Sequence, residues 1–432
     1  MTVLSVSSTG SRKNIPSGVK IPASLSFADF NAAALWAGLT TFIWFASGMV
    51  PLQIAVSRQL SLGAAESSSW IFIVWASAAA SSLALSLVYR QPIPITWTIP
   101  GLVYMGTLAG QYSFAELVGA NLMAGILIVV LGLAGVGGRI MDWLPLPIVM
   151  GMFAGSILEY VVRMIKATVE DIIVGGATVA GYLLGRIIAR PRVPAMGLAL
   201  LGGAAAIVIT RDFAARPIAW ELPALVVPQI DFSVSAFIAV SLPMVVLSMV
   251  LGNVQGLGFL RAQGYDAPTK PVTVVVGLGS IVNALLGGCP AIVGRTAVAI
   301  VAAPEAGPAA SRYAASVTAA ILTFILALAA SAVSSVLSIV PRHYVIALAG
   351  LAILSSLQEA FEKAFGGRLR FGALVAFAIA ATPFSFAGIS AAFWAVLAGF
   401  AVSALAERKE MRAYWRGEDD AQREGSKDHA KA

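Results

Sequence analysis

The chain has 432 residues, of which 59% are apolar and 11% charged, with a mean hydropathy of +0.87, whereas soluble domains carry about 25% charged residues. This composition excludes an ordinary soluble enzyme and predicts an all-α polytopic membrane protein. The single cysteine, Cys289, excludes an intrachain disulfide, and two histidines, His343 and His429, are too few for a zinc-binding cluster. We therefore expect no metal and no cofactor.

Apolar stretches recur along the chain and predict fourteen membrane segments. In chain order these are 30–56, 67–89, 92–110, 114–136, 143–162, 172–189, 195–210, 234–258, 271–287, 288–303, 313–340, 343–358, 371–386 and 388–406. Most Lys and Arg residues fall in the tails and the even-numbered connections, which predicts cytoplasmic termini. We expect cytoplasmic tails over 1–28 and 408–432, the second charged, solvated and frayed. The net charge of +7 is then mostly a topology signal and implies no nucleic-acid partner.

The two halves of the chain resemble each other at an offset of 196 residues, which aligns Pro94 with Pro290 and Pro145 with Pro341. Because seven segments per half is an odd number, the second half must enter the membrane from the opposite side. This is the inverted repeat typical of secondary transporters. We expect a first repeat over 29–211, a connecting loop over 212–232 and a second repeat over 233–407. Chance similarity among Ala- and Leu-rich helices is the alternative.

The third and tenth segments are interrupted by proline and glycine at corresponding places. The first reads PIPITWTIPGLVYMG from Pro92, and the second reads LGGCPAIVGRTAVAIVA from Leu286. Each predicts an extended half followed by a half-helix, starting near Pro100 and Thr296. Irregular backbone at membrane depth is tolerated only inside protein or along a cavity. Two helix N-termini directed at one central site would favour an anion.

Arg295 lies in a long uncharged stretch, where an arginine costs at least about 2.5 to 3.5 kcal/mol on insertion scales. The functional interpretation is a guanidinium that holds a carboxylate or oxyanion in a bidentate fork. The structural interpretation is an ion pair with an internal acid such as Glu159, or snorkelling to the interface. Trp97 and Thr98 could contact an aromatic ring and a carboxylate, or simply pack in the core.

Three further polar residues within the segments have two interpretations each, and three glycine pairs have one. Asn253 and Gln255 line a polar path or join helices by hydrogen bonds. Glu159 carries a proton or pairs with Arg163 one turn later. Three small-xxx-small pairs predict close helix packing: Gly151 with Gly155, Gly181 with Gly185, and Gly252 with Gly256. The sequence contains no phosphate-binding loop, which argues against ATP-driven transport.

Three runs resemble the benzoate:proton symporter family of bacterial inner membranes: ITWTIPG in the third segment, SLPMVVLSMVLGNVQGLGFLRAQGY from Ser241, and APEAGP from Ala303. The family is related to the uracil-permease and sulfate-transporter fold. The resemblance implies an integral inner-membrane protein that forms homodimers, with segments 1–4 and 8–11 as a core domain and 5–7 and 12–14 as a gate domain.

The resemblance also assigns residues. Trp97, Pro100 and Gly101 match the family's Trp-Ser/Thr-x-Pro-Gly pattern, Asn253 its eighth-segment asparagine and Gly294 its tenth-segment glycine. The chain departs from the family pattern in three places. It has Gly252 and Gln255 where the family has glutamine and proline, and Arg295 where the family has an apolar residue.

We therefore expect a secondary transporter that imports benzoate or a similar organic carboxylate with a proton by elevator-type alternating access. It is not expected to be an enzyme, since no nucleophile with a base partner is evident. The expected substrate-binding residues are Trp97, Thr98, Pro100, Gly101, Asn253, Gln255, Gly294, Arg295 and Thr296, and Glu159 is the candidate for proton coupling. The expected partners are a small organic anion, a proton, the lipid bilayer and a second copy of the chain. The alternatives are an inorganic-anion exchanger or uniporter without proton coupling, and a channel or sensor.

Overall fold

The computed structural model describes residues 26–135, 145–188, 195–214, 218, 220–382, 384–387 and 389–416. These residues form helices with two short antiparallel β-ribbons. The first half contains α1 (Ala32–Gln59), α2 (Ala64–Tyr89), β1 (Ile95–Trp97), α3 (Ile99–Thr107), α4 (Phe114–Ala134), α5 (Leu146–Glu170), α6 (Val174–Ile188) and α7 (Ala195–Thr210).

The second half begins with α8 (Val234–Ala262), which contains two π-helical stretches. It continues with α9 (Thr269–Leu285), β2 (Ala291–Val293), α10 (Arg295–Val301), α11 (Tyr313–Leu328), α12 (Ala330–Ile339), α13 (Arg342–Phe365), α14 (Arg370–Ala380), β3 (Ser385–Phe386), β4 (Ile389–Ser390), α15 (Ala391–Ala406) and α16 (Arg408–Trp415). Each of the fourteen predicted segments therefore contains a helix. The eleventh predicted segment contains two helices, α11 and α12, which are separated by Ala329.

Apolar length differs among these helices. In the described part of the chain, seven helices are long and apolar enough to cross a membrane, and the bent pair α15–α16 would make an eighth. Four other apolar helices, α6, α7, α9 and α14, have only 11 to 17 residues. A helix of about 20 residues spans a typical hydrocarbon core, so the shorter helices depend on their neighbours for a complete crossing.

The positions at which the elements begin are consistent with the repeat predicted from the sequence. Equivalent elements start 196 residues apart in four helix pairs: α3 and α10, α5 and α13, α6 and α14, and α7 and α15. The strands β1 and β2 keep the same interval and pair antiparallel. Two equivalent strands that run in opposite directions are consistent with an inverted repeat.

The helices pack in two groups. In one group α2 packs on α11, α4 on α9 and α1 on α11; in the other α5 packs on α13 and α14, α6 on α7, and α14 on α15. The first group corresponds to the core expected from the resemblance and the second to the gate, and these names are used below. The two groups meet where α1 contacts α13 and α7, and where α3 contacts α5.

Two of the three glycine pairs predicted to give close helix packing do so, and the third pair packs closely against a strand. A Cβ added at Gly151 or Gly155 would lie 2.3 or 2.4 Å from a backbone oxygen of α14. The pair Gly181 and Gly185 meets the backbone of α7 in the same way, and Gly252 and Gly256 meet side chains of β2. Because larger side chains would push these elements apart, glycine sets the helix spacing here.

The expectation of a frayed C-terminal tail is wrong for its first eight residues. These form α16, which bends by 106° from α15 and buries Met411 and Ala413. Glu410 accepts a hydrogen bond from the Leu369 backbone N–H, and Glu407 accepts from Phe371 and Gly372 at the start of α14. These side chains cap exposed helix donors, a tertiary effect that the tail's composition does not reveal. Residues 417–432 of the predicted tail, and residues 1–25, lie outside the described residues.

Candidate functional site

The centre of the molecule is the ribbon formed by β1 and β2. Its register pairs Ile95 with Val293, Thr96 with Ile292 and Trp97 with Ala291. The pairing extends beyond the strands, where the Thr98 N–H donates to the Pro290 carbonyl and the Gly294 N–H to the Pro94 carbonyl, each at 2.9 Å. The extended halves predicted for the third and tenth segments are therefore confirmed, and they satisfy each other's backbone groups.

Side chains from neighbouring core helices satisfy the outer edges of the ribbon. Ser82 on α2 accepts from the Ile95 N–H at 2.7 Å, and Ser280 on α9 accepts from the Ala291 N–H at 2.9 Å. Asn253, within a π-helical stretch of α8, accepts from the Val293 N–H at 3.0 Å. Because an unpaired backbone group in an apolar interior costs several kcal/mol, these three side chains allow non-helical chain at this depth.

A short helix follows each strand, as predicted. The first, α3, begins at Ile99, and its N-cap Thr98 accepts from the Gly101 N–H at 3.1 Å. The second, α10, begins at Arg295 after Gly294, which provides no side-chain cap. In α3, the Thr98 side chain therefore accepts a hydrogen bond from one of the free N-terminal N–H groups. In α10, no N-cap side chain accepts from the equivalent N–H groups.

A cavity of about 340 Å³, called the inner cavity below, lies between the core and the gate beside this ribbon. The core contributes residues of α1, β1, β2 and the starts of α3 and α10, and the gate contributes residues of α5, α6, α7 and α13. Much of its wall is apolar or aromatic, including Trp44, Phe45, Met49, Trp97, Met150 and Phe153. Its polar wall residues include Thr96, Arg186, Arg295, Thr296, Ser355, Ser356 and Glu359.

Arg295 spans the boundary between core and gate. Its Nη1 donates to Gln255 Oε1 on α8 at 3.0 Å and also to Glu359 Oε1 on α13. Lys363, one turn further along α13, donates to the same Glu359 oxygen at 2.5 Å. The Arg295 side chain keeps 40% of its surface exposed. Arg295 therefore has protein partners and still offers guanidinium surface to the cavity.

The acid that pairs with Arg295 is not the one suggested from the sequence. Glu159 pairs with Arg163 at 2.5 Å, as its alternative interpretation predicted, and lies outside the inner cavity. The predicted twelfth segment ended at residue 358, which left Glu359 outside the membrane. The helix α13 continues to Phe365, because the polar residues that lower its hydropathy are good helix formers.

The structure divides the predicted substrate-binding residues into two sets. Five line the inner cavity: Trp97, Pro100, Gly294, Arg295 and Thr296. The other four do not line it: Thr98, Gly101, Asn253 and Gln255. Thr98 and Asn253 instead hold the backbone, Gln255 contacts Arg295, and Gly101 is packed against Thr98 and Met244.

Neighbouring side chains hold the indole of Trp97 in place. It packs against Trp75 with ring centroids 4.6 Å apart, and Trp75 Nε1 donates to the buried Gln53 at 2.6 Å. Trp97 itself is 1% exposed. A rigid aromatic wall of this kind can hold an apolar ring at low entropic cost.

Sequence reasoning missed residues contributed by the gate. Arg186 on α6 lines the inner cavity and is exposed. In the sequence it is one of the basic residues whose distribution predicts the membrane topology. Phe153, Ser355 and Glu359 were missed for a different reason, because nothing in local sequence shows that α5 and α13 face the ribbon. Within the described residues, no group of three or more His, Cys, Asp or Glu side chains could hold a metal ion.

A polar pocket between two packed groups of apolar helices, beside broken helices at the junction of two repeats, is typical of a secondary transporter. Comparison with known proteins identifies the class more closely. The profile of the benzoate membrane transport protein family matches residues 28–405. The chain belongs to this family, and it is an integral inner-membrane transporter rather than an enzyme.

Individual relatives agree with this assignment. The chain is 29% identical over 341 residues to the inner membrane protein YdcO of Escherichia coli K12, covering 78% of this chain and 86% of YdcO. It is 24% identical over 375 residues to the benzoate membrane transport protein of Acinetobacter baylyi, covering 86% of this chain and 94% of the relative.

Solved structures share the fold at low sequence identity. The transmembrane domain of the cyanobacterial bicarbonate transporter BicA superposes with a TM-score of 0.56 at 14% identity, covering 87% of this chain and 98% of that domain. The fold is therefore one that anion transporters use.

Proposed function

We propose that the protein is a secondary active transporter that imports benzoate or a similar aromatic carboxylate together with a proton. The observation that carries the proposal is the composition of the inner cavity, where Arg295 and Thr296 lie on a wall shared with Trp97 and other aromatic side chains. A guanidinium binds a carboxylate with charge-assisted hydrogen bonds. The apolar wall favours an organic ring over a fully hydrated inorganic ion.

The volume and charge of the inner cavity fit a small anion. At about 340 Å³, it lies at the lower end of the range for ligand pockets. Three cationic side chains, Arg186, Arg295 and Lys363, lie at or next to its wall, against one carboxylate, Glu359. This excess of positive charge favours a bound anion.

Glu359 is better placed than Glu159 to couple transport to protons. Glu359 accepts a hydrogen bond from the Arg295 guanidinium. A substrate carboxylate would bind the same guanidinium, so the substrate and Glu359 compete for Arg295. Once displaced, Glu359 retains Lys363 as its partner, with Arg186 as the other cation on the cavity wall. Loss of one of its two ion-pair partners makes proton uptake by Glu359 more favourable. Glu159 instead lies in an exposed pair with Arg163, outside the inner cavity.

The same geometry supports elevator-type alternating access as part of the proposal. The core carries the ribbon and both half-helices, whereas the gate supplies the opposite wall of the inner cavity. Movement of the core along the gate would take Arg295 away from Glu359. With cytoplasmic termini, the inner cavity faces the cytoplasm. We expect a homodimer, which light scattering on the purified protein checks directly.

The test is uptake of labelled benzoate by proteoliposomes, with and without an imposed inward proton gradient. Proton symport predicts accumulation that depends on the gradient. An inorganic-anion exchanger or uniporter instead predicts no response to the proton gradient and, for an exchanger, stimulation by an anion inside the vesicle. Absence of benzoate uptake under every condition would reject the proposed substrate.

A further inference from the structure

The gate contributes a second guanidinium to the wall of the inner cavity. Arg186 lies in the last turn of α6 and lines the cavity together with Tyr182, one turn earlier on the same helix. Residues four positions apart share one face of a helix, so this face of α6 meets the cavity. Tyr182 is 7% exposed, whereas Arg186 is exposed. The gate wall therefore combines a packed aromatic ring with an accessible guanidinium.

Arg186 has no acidic partner in the part of the chain that the structure describes. Among those residues it forms neither an ion pair nor a side-chain hydrogen bond. The one carboxylate that lines the inner cavity in the described residues, Glu359, already accepts from Arg295 and Lys363. The sequence between α6 and α7, residues 189–194, adds two arginines and no acid. The charge of Arg186 is therefore available to a ligand in the cavity.

The two arginines of the inner cavity belong to different groups of helices. Arg295 begins α10 of the core, and Arg186 lies on α6 of the gate. Together with Lys363 they oppose the single negative charge of Glu359. A ligand with one carboxylate leaves part of this excess positive charge uncompensated, whereas a ligand with two carboxylates compensates it more fully. The charge of the wall thus favours a dianion over a monoanion.

Aromatic side chains come from both groups of helices as well. Trp97 of β1 lines the inner cavity from the core, and Phe153 of α5 lines it from the gate. A benzene ring with two carboxylates has an apolar body and two separate anionic ends. This distribution matches a cavity with aromatic side chains in both walls and one arginine from each helix group.

We propose that the preferred substrate is a benzenedicarboxylate, with one carboxylate bound by Arg295 and the other by Arg186. The aromatic ring and the first carboxylate rest on the proposed function, and the second carboxylate is what this inference adds. Arg186 then determines specificity, because it gives the dicarboxylate a charge-assisted hydrogen bond that a monocarboxylate cannot form at the same time as its bond to Arg295.

The ligand test compares each of the three benzenedicarboxylate isomers with its own monomethyl ester, which keeps the ring and loses one charge. Binding is measured by calorimetry on the purified protein in detergent at neutral pH, where both carboxyl groups are ionised. We expect at least one isomer to bind about 10- to 100-fold more tightly than its ester. Because the isomers hold their carboxylates at different distances, the preferred isomer also measures the separation of the two guanidinium groups. If every isomer binds no more tightly than its ester, the proposal is wrong.

The variant test uses Arg186→Gln and follows the ratio of dicarboxylate affinity to ester affinity. We expect this ratio to fall about tenfold, and Arg186→Lys, which keeps the charge, to retain part of it. Lys166→Gln is the matched control, because it removes an exposed positive charge from α5 outside the inner cavity. Binding of the ester shows that each variant is folded. A ratio that survives in Arg186→Gln, or that falls equally in the control, would overturn the role of Arg186.

Benzoate separates failure of this inference from failure of the proposed function. If benzoate binds as tightly as every dicarboxylate, the second carboxylate is wrong and the proposed function stands. If sulfate binds but benzoate and all three dicarboxylates do not, the proposed function fails and the inference fails with it. If a dicarboxylate binds more tightly than benzoate and proteoliposomes accumulate it with a lower KM, both stand.

Discussion

The β1–α3 and β2–α10 units start 196 residues apart and share one ribbon, yet their helices begin differently. The first unit places apolar Ile99 at the start of its helix and caps that helix with Thr98. The second unit places Arg295 at the equivalent position and has no side-chain cap. The repeated backbone therefore supplies the frame, while the difference between Ile99 and Arg295 makes one side of the inner cavity cationic.

The largest expected effect tests this asymmetry directly. Arg295→Ala should weaken benzoate affinity about 10- to 100-fold, because hydrogen bonds to a charged group contribute about 1.5 to 3 kcal/mol. Ile99→Ala, the equivalent change in the first unit, should alter affinity less than about threefold, since it removes no charge. Transport KM and equilibrium binding measure both variants. Equal effects at the two positions would contradict the asymmetry.

The shared frame is tested by removing the side chains that satisfy the ribbon. Asn253→Ala leaves the Val293 N–H without its acceptor, and Ser82→Ala does the same for the Ile95 N–H. Each should lower the free energy of unfolding by about 1 to 3 kcal/mol, measured by thermal or denaturant unfolding in detergent. Gln255→Ala is the control on α8, because Gln255 contacts Arg295 and not the ribbon. If only one unit responds, the frame is not equivalent in the two halves.

The ion pair between Arg295 of the second unit and Glu359 on α13 provides the next test. Glu359→Gln should abolish accumulation driven by a proton gradient, which for one coupled proton is about tenfold per pH unit, or about 1.4 kcal/mol. Exchange of labelled for unlabelled benzoate should persist, since exchange needs no net proton movement. Glu159→Gln is the matched control, because Glu159 does not line the inner cavity. Retained proton-driven accumulation in Glu359→Gln would remove Glu359 from the coupling mechanism.

The smallest expected effects separate the two threonines beside the half-helices. Thr98→Val removes the N-cap of α3 and should cost about 1 kcal/mol of stability, with benzoate affinity unchanged because Thr98 does not line the cavity. Thr296→Val removes a hydroxyl from the cavity wall and should weaken binding about 2- to 10-fold. Unfolding and binding measured on both variants should therefore give opposite patterns. A loss of affinity in Thr98→Val would return this residue to the binding site.

Local sequence predicted the frame well for identifiable reasons. Hydropathy located the helices because apolar length is a property of a continuous stretch of chain. The prolines around Trp97 and the glycines before Arg295 marked the change from extended chain to helix, and both helices begin within one residue of the predicted positions. The offset between Pro94 and Pro290 predicted that the two interrupted segments are equivalent, whereas the pairing of their strands is seen only in the structure.

Side-chain roles were less predictable, because neighbouring helices decide them. The sequence singled out Asn253 as a polar residue in an apolar span, but only its distance to the Val293 N–H shows that it supports the ribbon. Glu359 was missed because hydropathy ended the twelfth segment one residue before it, whereas α13 continues as a helix.

The sequence by itself determined that this is a membrane protein of two similar halves, with an arginine inside an apolar stretch at the start of a half-helix. Those properties depend on composition, periodicity and local chain geometry. Only the tertiary structure decided that Arg295 pairs with Glu359 and that Arg186 lines the same cavity. These contacts join residues far apart in the chain, and their energies depend on distance and burial, which exist only after the core and gate have packed.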